Sequence, residues 1–141
     1  MIIAVASDHA GYAYKEGVVR HLRAKGYEIR DFGTDSDEPC DYPLLIRPAA
    51  EAVASGECEI GVVFGGSGNG EAMTANKVRG IRCAVCWDVD SARYAKQHND
   101  ANMIALGQRL IAEEQLPQIV DAWLSSAFEG GRHARRIALL E

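Results

Sequence analysis

Val62-Val63-Phe64-Gly65-Gly66-Ser67-Gly68-Asn69-Gly70-Glu71 passes directly from an apolar run into a glycine-rich turn, and it is the most informative segment of the chain. Glycine stands at positions 65, 66, 68 and 70, so the backbone can turn sharply and approach a ligand without Cβ clashes. A helix after such a turn points its first N–H groups at whatever occupies the turn, which suits a phosphate or a developing oxyanion. Glu71 closes the segment, and a carboxylate beside oxyanion donors is what proton abstraction next to a carbonyl requires.

The glycine turn does not fit the common nucleotide-binding motifs. From Gly66 the pattern reads G-x-G-x-G-E, so the third glycine falls one position too early for a dinucleotide fingerprint. No Lys-Ser or Lys-Thr pair closes the turn, which excludes a Walker A loop. A plain strand-to-helix turn needs fewer glycines, so we interpret the segment as a ligand-binding loop.

Strand-like apolar runs alternate with helical segments on both sides of this turn. The predicted strands are 2–7, 27–32, 60–64, 81–86 and 102–106, and the predicted helices are 12–25, 43–55, 69–77, 90–97, 112–125 and 132–140. The third strand is short and fully apolar and should be central, whereas the polar mixture of the second predicts an edge strand. The alternation predicts one α/β domain over 1–141, a three-layer αβα Rossmann-like sandwich with a five-stranded parallel sheet.

Length, charge and hydropathy limit the partners and the location of the protein. The 141 residues are 48% hydrophobic and 25% charged, which is typical of a soluble globular domain. The net charge of −5 disfavours general nucleic-acid binding. No apolar run approaches the length of a membrane span, and residues 1–6 lead straight into Ser7-Asp8 without a signal peptide. We therefore predict a cytoplasmic protein with neither a nucleic-acid nor a membrane partner.

The cysteines are expected to be reduced and structural. In the cytosol, Cys40, Cys58, Cys83 and Cys86 would form no disulfides. Cys83-x-x-Cys86 resembles a metal or redox pair, but strand alternation points these two thiols to opposite faces of a sheet. No second cysteine pair or nearby histidine completes a zinc site, so no metal is predicted.

Two further polar segments carry side chains suited to catalysis. Asp8 and His9 follow the first strand, at the edge where a doubly wound sheet places its ligand. Asp8 can orient a hydroxyl and His9 can donate to a phosphate, although an Asp here is also a good helix N-cap. The segment 98–102 is dense in polar residues and is predicted to be a loop. Its His98 can act as a general acid and base, although a lone loop histidine is more often a solvated surface residue.

The C-terminal segment carries a basic cluster. Arg132 and Arg136 are four residues apart, so one helical face presents both guanidinium groups about 6 Å apart along the axis. Two guanidinium forks at that spacing suit a phosphate monoester, and Arg109 could supply a third. The alternative is a solvated basic end balanced by the acidic remainder of the surface.

Taken together, the motifs resemble the family of ribose-5-phosphate isomerase B and the galactose-6-phosphate isomerase subunits. The likeness runs from Ile2 to about Ile137, nearly the whole chain. It is carried by Ser7-Asp8-His9-Ala10-Gly11, Asp41-Tyr42-Pro43, the turn 65–70, Ala75-Asn76-Lys77, His98-Asn99-Asp100-Ala101-Asn102 and Glu129-Gly130-Gly131-Arg132-His133.

The resemblance implies an aldose–ketose isomerase of the pentose phosphate pathway. It would interconvert ribose 5-phosphate and ribulose 5-phosphate through an enediolate, without a metal or organic cofactor. Many members of the family carry a Cys base at the position of Gly65. This chain is similar to the other branch, in which a Glu just after the turn is the base, and Glu71 occupies that position.

Site roles carry over residue by residue as implications of the same resemblance. The catalytic group would be Glu71 as the base at carbon 2, Ser67 in the proton shuttle, His98 in ring opening, and Asp8 at the ring oxygen or hydroxyls. The enediolate and sugar would be held by Gly66, Gly68, Asn69, Gly70, Asn99 and Tyr42, and the phosphate by His9, Arg109, Arg132 and Arg136.

The resemblance also implies assembly. Family members are dimers or tetramers with the active site at a subunit interface, where His98, Asn99 and Arg109 reach across from the partner. The C-terminal helix, about 132–140, would then lie at the dimer interface.

Three alternatives stay open from the sequence. The first is a nucleotide-binding or stress-response module, which would explain the glycine turn but not Glu71. The second is the same chemistry on a tetrose 4-phosphate or on a hexose 6-phosphate of the allose or galactose type. The third is an inactive subunit that needs a partner chain.

Overall fold

A five-stranded parallel sheet with helices on both of its faces forms the fold. The computed structural model describes all residues, 1–141. The strands are β1 (Ile2–Ser7), β2 (Glu28–Asp31), β3 (Ile60–Gly65), β4 (Cys83–Cys86) and β5 (Met103–Gly107). The helices are α1 (Tyr12–Ala24), α2 (Pro43–Ala54), α3 (Asn69–Asn76), α4 (Val89–Asn99), α5 (Leu116–Ser125), which follows a 3₁₀ turn (Glu113–Gln115), and α6 (Arg132–Leu140).

The order of the strands places a crevice above the middle of the sheet. The order is β2-β1-β3-β5-β4, and every neighbouring pair is parallel. The chain moves outward from β1 to β2 and then returns to the other side of β1 for β3. Ligands of such sheets bind beyond the carboxyl ends of the strands at this point of reversal. The predictions that β2 is an edge strand and β3 a central one are confirmed.

Each face of the sheet has its own hydrophobic core. On one face, the side chains of Ile3 and Val5 pack with buried residues of α1, α4 and α5. On the other face, Ala4 and Ala6 pack with α2 and α3, whose buried residues are mostly alanine. The predicted three-layer αβα sandwich is therefore confirmed. No helix is both long enough and apolar enough to cross a membrane.

The two strand cysteines follow the predicted alternation. Cys86 belongs to the core beneath α4 and α5, whereas Cys83 packs against the core beneath α2 and α3. All four cysteines of the chain are free thiols. Burial raises the pKa of the Cys86 thiol to about 12, so this sulfur stays protonated and inert.

The structure corrects the predicted start of two elements. Strand β4 begins at Cys83 rather than Ile81. The backbone N–H of Arg82 donates to the side-chain oxygen of Asn102, at an N···O distance of 2.9 Å, and not to a carbonyl of a neighbouring strand. Helix α5 begins at Leu116 rather than at 112, because residues 113–115 form the tighter 3₁₀ turn and Pro117 occupies the first α-helical turn.

Helix α4 is longer than predicted. Its last turn includes His98 and Asn99, which the sequence placed in a loop. Asp100 closes the helix in the left-handed conformation, at φ 42°, and its N–H donates to the carbonyls of Ala95 and Lys96. The density of polar residues in 98–102 predicts a loop, but polar residues are also tolerated in a helical turn that is only partly buried.

A buried lysine ties the start of α1 to the chain segment after β2. The side chain of Lys15 is 1% exposed, and its Nζ donates to Asp31 Oδ1 at 2.8 Å and to the carbonyl of Thr34. Thr34 in turn pairs by its backbone with Ser7, the last residue of β1. The ammonium group thus holds this connection against the end of the strand that leads into Asp8.

We expect Lys15→Met to lower the free energy of unfolding by about 2 kcal/mol, because it removes charge-assisted hydrogen bonds and leaves the carbonyl of Thr34 unpaired. Urea denaturation at constant protein concentration measures the change. Lys25→Met is the matched control: Lys25 pairs with Asp121 at 2.8 Å but is 45% exposed, so its loss should cost less than about 1 kcal/mol. Equal losses in the two variants would contradict the structural role of Lys15.

Candidate active site

Glu71 lies in the crevice, against the end of β3. Although it is a carboxylate, it is only 3% exposed. A Cβ atom on Gly65 would lie 1.6 Å from Glu71 Oε1 and 2.3 Å from its carboxyl carbon. The carboxylate therefore fills the space that a side chain at position 65 would take, and a Cβ there would displace it from this position.

The surroundings of Glu71 make it a base suited to neutral pH. Burial, and secondly the negative charge of Asp8, raise the pKa of Glu71 from its ordinary value to about 7. A carboxylate with its ordinary pKa is a weak base, and a general base works best when its pKa lies near the working pH. The local structure thus provides the basicity that proton abstraction from carbon requires.

Free backbone N–H groups line the turn before α3. Gly68 takes the left-handed conformation at φ 87° and forms the N-cap of the helix. The N–H groups of Gly66, Ser67, Gly68 and Gly70 donate to no acceptor in the protein, whereas that of Asn69 donates to Ser67 Oγ at 3.2 Å. Several free donors at a helix N-terminus form a cradle for negative charge, as the sequence predicted.

Asp8 and His9 lie beside this turn, at the end of β1. The N–H of Asp8 donates to the carbonyl of Phe64 at 3.1 Å, and Asp8 Oδ1 accepts the N–H of Gly11 at 2.9 Å. Its Oδ2 makes no hydrogen bond to the protein. The backbone N–H of Cys40 donates to His9 Nδ1 at 3.3 Å, so the proton of the neutral imidazole lies on Nε2. That nitrogen can donate to a substrate oxygen.

Tyr42 and Arg109 border the turn on its outer side. A Cβ on Gly70 would lie 2.6 Å from the Tyr42 ring, and a Cβ on Gly66 would lie 2.9 Å from Arg109 Nη1. Arg109 also donates its backbone N–H to the carbonyl of Gly66 at 2.9 Å. The structure therefore groups Arg109 with the turn of its own chain, whereas the resemblance groups it with His98 and Asn99 of a partner. We call Asp8, His9, Tyr42, Arg109 and residues 65–71 the turn site.

The remaining predicted residues form a second group, on α4 and α6. His98, Asn99 and Arg136 line one open groove of about 440 Å³ together with His133. Arg132 and Arg136 are exposed, lie four residues apart on α6 as predicted, and form no ion pair within the chain. We call His98, Asn99, Arg132, His133, Arg136 and the neighbouring Glu129 the histidine cluster.

The imidazole of His98 is stacked on both sides. The ring of His133 lies 4.4 Å away and nearly parallel, at 9°, and the ring of Tyr94 lies 4.9 Å away at 28°. Glu129 Oε1 is 3.6 Å from Nε2 of each histidine, which is ion-pair range but too long for a hydrogen bond. The cluster is therefore ordered mainly by ring contacts.

The side chains of His98, Glu129 and His133 are the group in this cluster whose atoms could hold a metal ion. The ligand atoms of His98, Glu129 and His133 lie within 4.8 Å of one another, which is close enough to consider. Two imidazoles bind one ion when their in-plane nitrogen lone pairs converge on it. The two rings are stacked at 9°, so the lone pairs run side by side instead of converging. The arrangement therefore does not fit a metal.

The sheet separates the two groups of residues. The turn site lies at the carboxyl ends of β1 and β3, whereas α4 ends near the amino ends of β4 and β5, where Arg82 donates to the carbonyl of Asn99 at 2.9 Å. From Met103 to Gly107 a strand spans roughly 13 Å. Within one chain, the structure therefore does not bring His98, Asn99, Arg132 or Arg136 to Glu71.

Comparison with known proteins identifies the family. The model of the family described as Ribose/Galactose Isomerase matches residues 3–140. The chain belongs to this family. Over 135 residues it is 44% identical to ribose-5-phosphate isomerase B of Escherichia coli strain K12, covering 96% of this chain and 91% of that protein.

Solved structures of relatives have the same fold. Ribose-5-phosphate isomerase B of Clostridium thermocellum superposes with a TM-score of 0.98 at 47% identity, covering 99% of this chain and 95% of that chain. The Mycoplasma genitalium protein, whose crystal structure has bound ribulose 5-phosphate, gives 0.94 at 35% identity, covering 99% and 93%. The family resemblance and the Rossmann-like fold class predicted from the sequence are thereby confirmed.

Sequence reasoning missed two members of the histidine cluster. Both lie in the motif Glu129-Gly130-Gly131-Arg132-His133, but the sequence predicts no role for either side chain. The signal was present in their spacing, because Glu129 and His133 are four residues apart and Arg136 follows three later. What the sequence did not contain was the packing of α6 against α4, which brings His133 onto His98.

We expect the burial of Glu71 to cost stability as the pH rises. Its pKa in the folded chain is raised, so the folded state binds its proton more tightly, and the penalty for ionisation grows between about pH 4.5 and about pH 7. Relative to the wild type, Glu71→Gln should be unchanged near pH 4 and more stable by about 3 kcal/mol at pH 8. Urea denaturation at both pH values measures this, with the exposed Glu51→Gln as control. A difference that does not change with pH would rule out the raised pKa.

Proposed function

We propose that this protein interconverts ribose 5-phosphate and ribulose 5-phosphate through an enediolate. The observation that carries the proposal is the buried carboxylate of Glu71, whose pKa is raised to about 7, beside free N–H donors in the turn before α3. A base poised near neutrality next to oxyanion donors is the apparatus for moving a proton between two carbons beside a carbonyl. The names of the relatives, and the ribulose 5-phosphate bound in one of them, support the five-carbon substrate.

The reaction would begin with ring opening. His98 donates a proton to the ring oxygen O4, and the bond between C1 and O4 breaks. The proton of the C1 hydroxyl leaves at the same time to a base, a role for which the free Oδ2 of Asp8 is placed. The product is the open-chain aldehyde, the only form whose C2 proton is acidic enough to remove.

Isomerisation would follow at the turn. Glu71 takes the proton from C2, and its electron pair forms the C1–C2 double bond while negative charge moves to O1. The free N–H groups of the turn stabilise this charge, an effect of roughly 3–4 kcal/mol for one good donor in other enzymes. Ser67 passes the O2 proton to O1, and Glu71 returns its proton to C1, which leaves the ketose. Every step is a proton transfer, so the proposal includes no metal or organic cofactor.

Phosphate binding would position the sugar. His9 Nε2–H and the guanidinium of Arg109 lie at the turn site, and Arg132 and Arg136 extend from α6 without partners in their own chain. Binding energy from the unreacting phosphate can be used to orient the reacting carbons. Tyr42 and Asn99 would contact the sugar between these ends.

We further propose that each active site takes residues from two chains. Ring opening needs His98 and isomerisation needs Glu71, yet within one chain these residues lie near opposite ends of the parallel strands. A two-fold dimer brings the histidine cluster of one protomer to the turn site of the other and creates two equivalent sites. The unpaired arginines of α6 and its exposed Leu139 and Leu140 favour this helix as part of the interface. A cytoplasmic location stays part of the proposal, in keeping with four free thiols.

The nucleotide-binding alternative is disfavoured by the position of Glu71. A carboxylate inside the turn repels the phosphate that such a loop would hold. Substrates of other lengths are a separate question, because the family description also includes galactose. The test must therefore include four- and six-carbon sugar phosphates.

The first experiment follows ribose 5-phosphate in deuterated water by proton NMR with metal-free protein. We expect ribulose 5-phosphate to form with deuterium at C1, and Glu71→Gln to lower turnover by at least about 10²-fold because the base is lost. Binding of the sugar phosphate by the variant, measured by calorimetry, should persist. Full activity of Glu71→Gln would exclude Glu71 as the base. Turnover of only a four- or six-carbon sugar phosphate would show that the substrate is not ribose 5-phosphate.

A mixing experiment tests the composite site. Glu71→Gln and His98→Asn homodimers should each be nearly inactive. Unfolding and refolding them together should restore about a quarter of wild-type activity, because half of the dimers are mixed and each holds one intact site of two. If Glu71 and His98 of the same chain acted together, no mixture would regain activity.

A further inference from the structure

The ring of His98 is held between two other rings. His133 lies 4.4 Å away on one side at 9°, and Tyr94 lies 4.9 Å away on the other at 28°. The guanidinium of Arg93 covers the Tyr94 ring at 4.6 Å, which extends the stack toward solvent. His98 itself is half-buried, so the stack and not the core provides its order.

His133 is the fixed end of this stack. It is 8% exposed, and its Nε2 has no hydrogen-bond partner. The segment that leads into α6 is tied to α4, because the N–H of Glu129 donates to the carbonyl of Gln97 at 3.0 Å. The ring is therefore held in place by packing and not by a hydrogen bond from this nitrogen.

Ring stacking supplies an orientation that the backbone does not. The torsion that turns an imidazole about its Cβ–Cγ bond is broad, so the plane of a histidine at a helix end is poorly set by rotamer preference. A general acid, however, must keep its proton within hydrogen-bond reach of the acceptor. Flat neighbours on both sides restrict the ring to one plane.

We propose that His133 is a positioning residue for His98, holding the plane of the His98 imidazole for ring opening of the aldose. This inference rests on the proposed function, in which His98 donates to the ring oxygen. His133 does not touch the substrate in this scheme and acts only through His98.

The charges around the pair agree with this division of roles. Burial, and secondly the charge of Arg132, lower the pKa of His133, with further contributions from His98 and Arg136, while Glu129 acts in the opposite direction. His133 therefore stays neutral at neutral pH and does not repel a proton carried by His98. The Glu129 carboxylate lies 3.6 Å from Nε2 of both rings and attracts the one that is protonated.

The aldose and the ketose differ in their need for ring opening. This difference allows the role of His133 to be tested separately from the role of Glu71. Ribose 5-phosphate is mainly a closed furanose and must be opened before reaction. In ribulose 5-phosphate the O5 atom is esterified, so the ketose cannot close a five-membered ring and remains open. Exchange of a ketose C1 proton for solvent deuterium therefore needs the base and the oxyanion donors but not ring opening.

The test compares aldose turnover with ketose C1 exchange in His133→Ala, His133→Phe and the control His21→Ala. We expect His133→Ala to slow aldose turnover at least about tenfold, as small misplacements of a catalytic group do, with ketose exchange changed less than about twofold. His133→Phe, which keeps a flat ring, should recover most of the aldose turnover. His21 lies on α1 and its side chain is hydrogen-bonded to Asp121 on α5. Its alanine variant should therefore match the wild type in both assays.

The opposite results would overturn the inference. Equal slowing of both reactions in His133→Ala would indicate a merely structural role, and no slowing in either would indicate none. A His133→Phe variant as slow as His133→Ala would assign the effect to the nitrogen instead of the ring. Tyr94→Leu, at an exposed position, provides the second variant should His133→Ala fail to fold, and must show the same split. A wild type that converts no ribose 5-phosphate would instead overturn the proposed function itself.

Discussion

The burial of one carboxylate against one glycine is the constraint on which the rest of this site depends. Glu71 reaches back from the first turn of α3 and fills the volume above Gly65, so its carboxylate enters the crevice where β3 ends. Water is largely excluded there, and Asp8 adds a like charge, so the carboxyl group holds its proton to about pH 7.

The parallel sheet then sets what one chain can do alone. Helices that follow the strands return their C-terminal ends to the amino edge, so a side chain in the last turn of α4 cannot reach the crevice of its own sheet. His98 and Glu71 are separated for this reason, and not by any local feature of either residue. A second copy related by two-fold symmetry is the simplest arrangement that would join the proposed proton donor, His98, with the proposed base, Glu71.

Several groups in this structure are poorly placed for stability but well placed for the proposed chemistry. A buried carboxylate, unpaired N–H groups in the turn and the unpartnered nitrogen of His133 each cost free energy of folding. The rest of the fold offsets these costs with two dense apolar cores and with ties such as the Lys15 ammonium group. The unfavourable groups lie in or beside the two parts of the proposed site, as expected when function selects against local stability.

Hydrophobic periodicity and glycine spacing are local signals, and they were enough to predict the fold class, the central position of β3 and the glycine turn before α3. The same local signals misplaced His98 in a loop, since a polar segment and a polar helical turn look alike until the left-handed Asp100 is seen. Motif order also indicated the family, and the resemblance implied that His98, Asn99 and Arg109 come from a partner chain, whereas the structure has Arg109 beside the turn of its own chain. The folded structure was needed to show that Glu71 lies above Gly65, that His133 stacks on His98, and that Arg109 lies beside its own turn. These facts depend on strand order and helix packing, which bring together residues distant in sequence and leave no periodic trace in it.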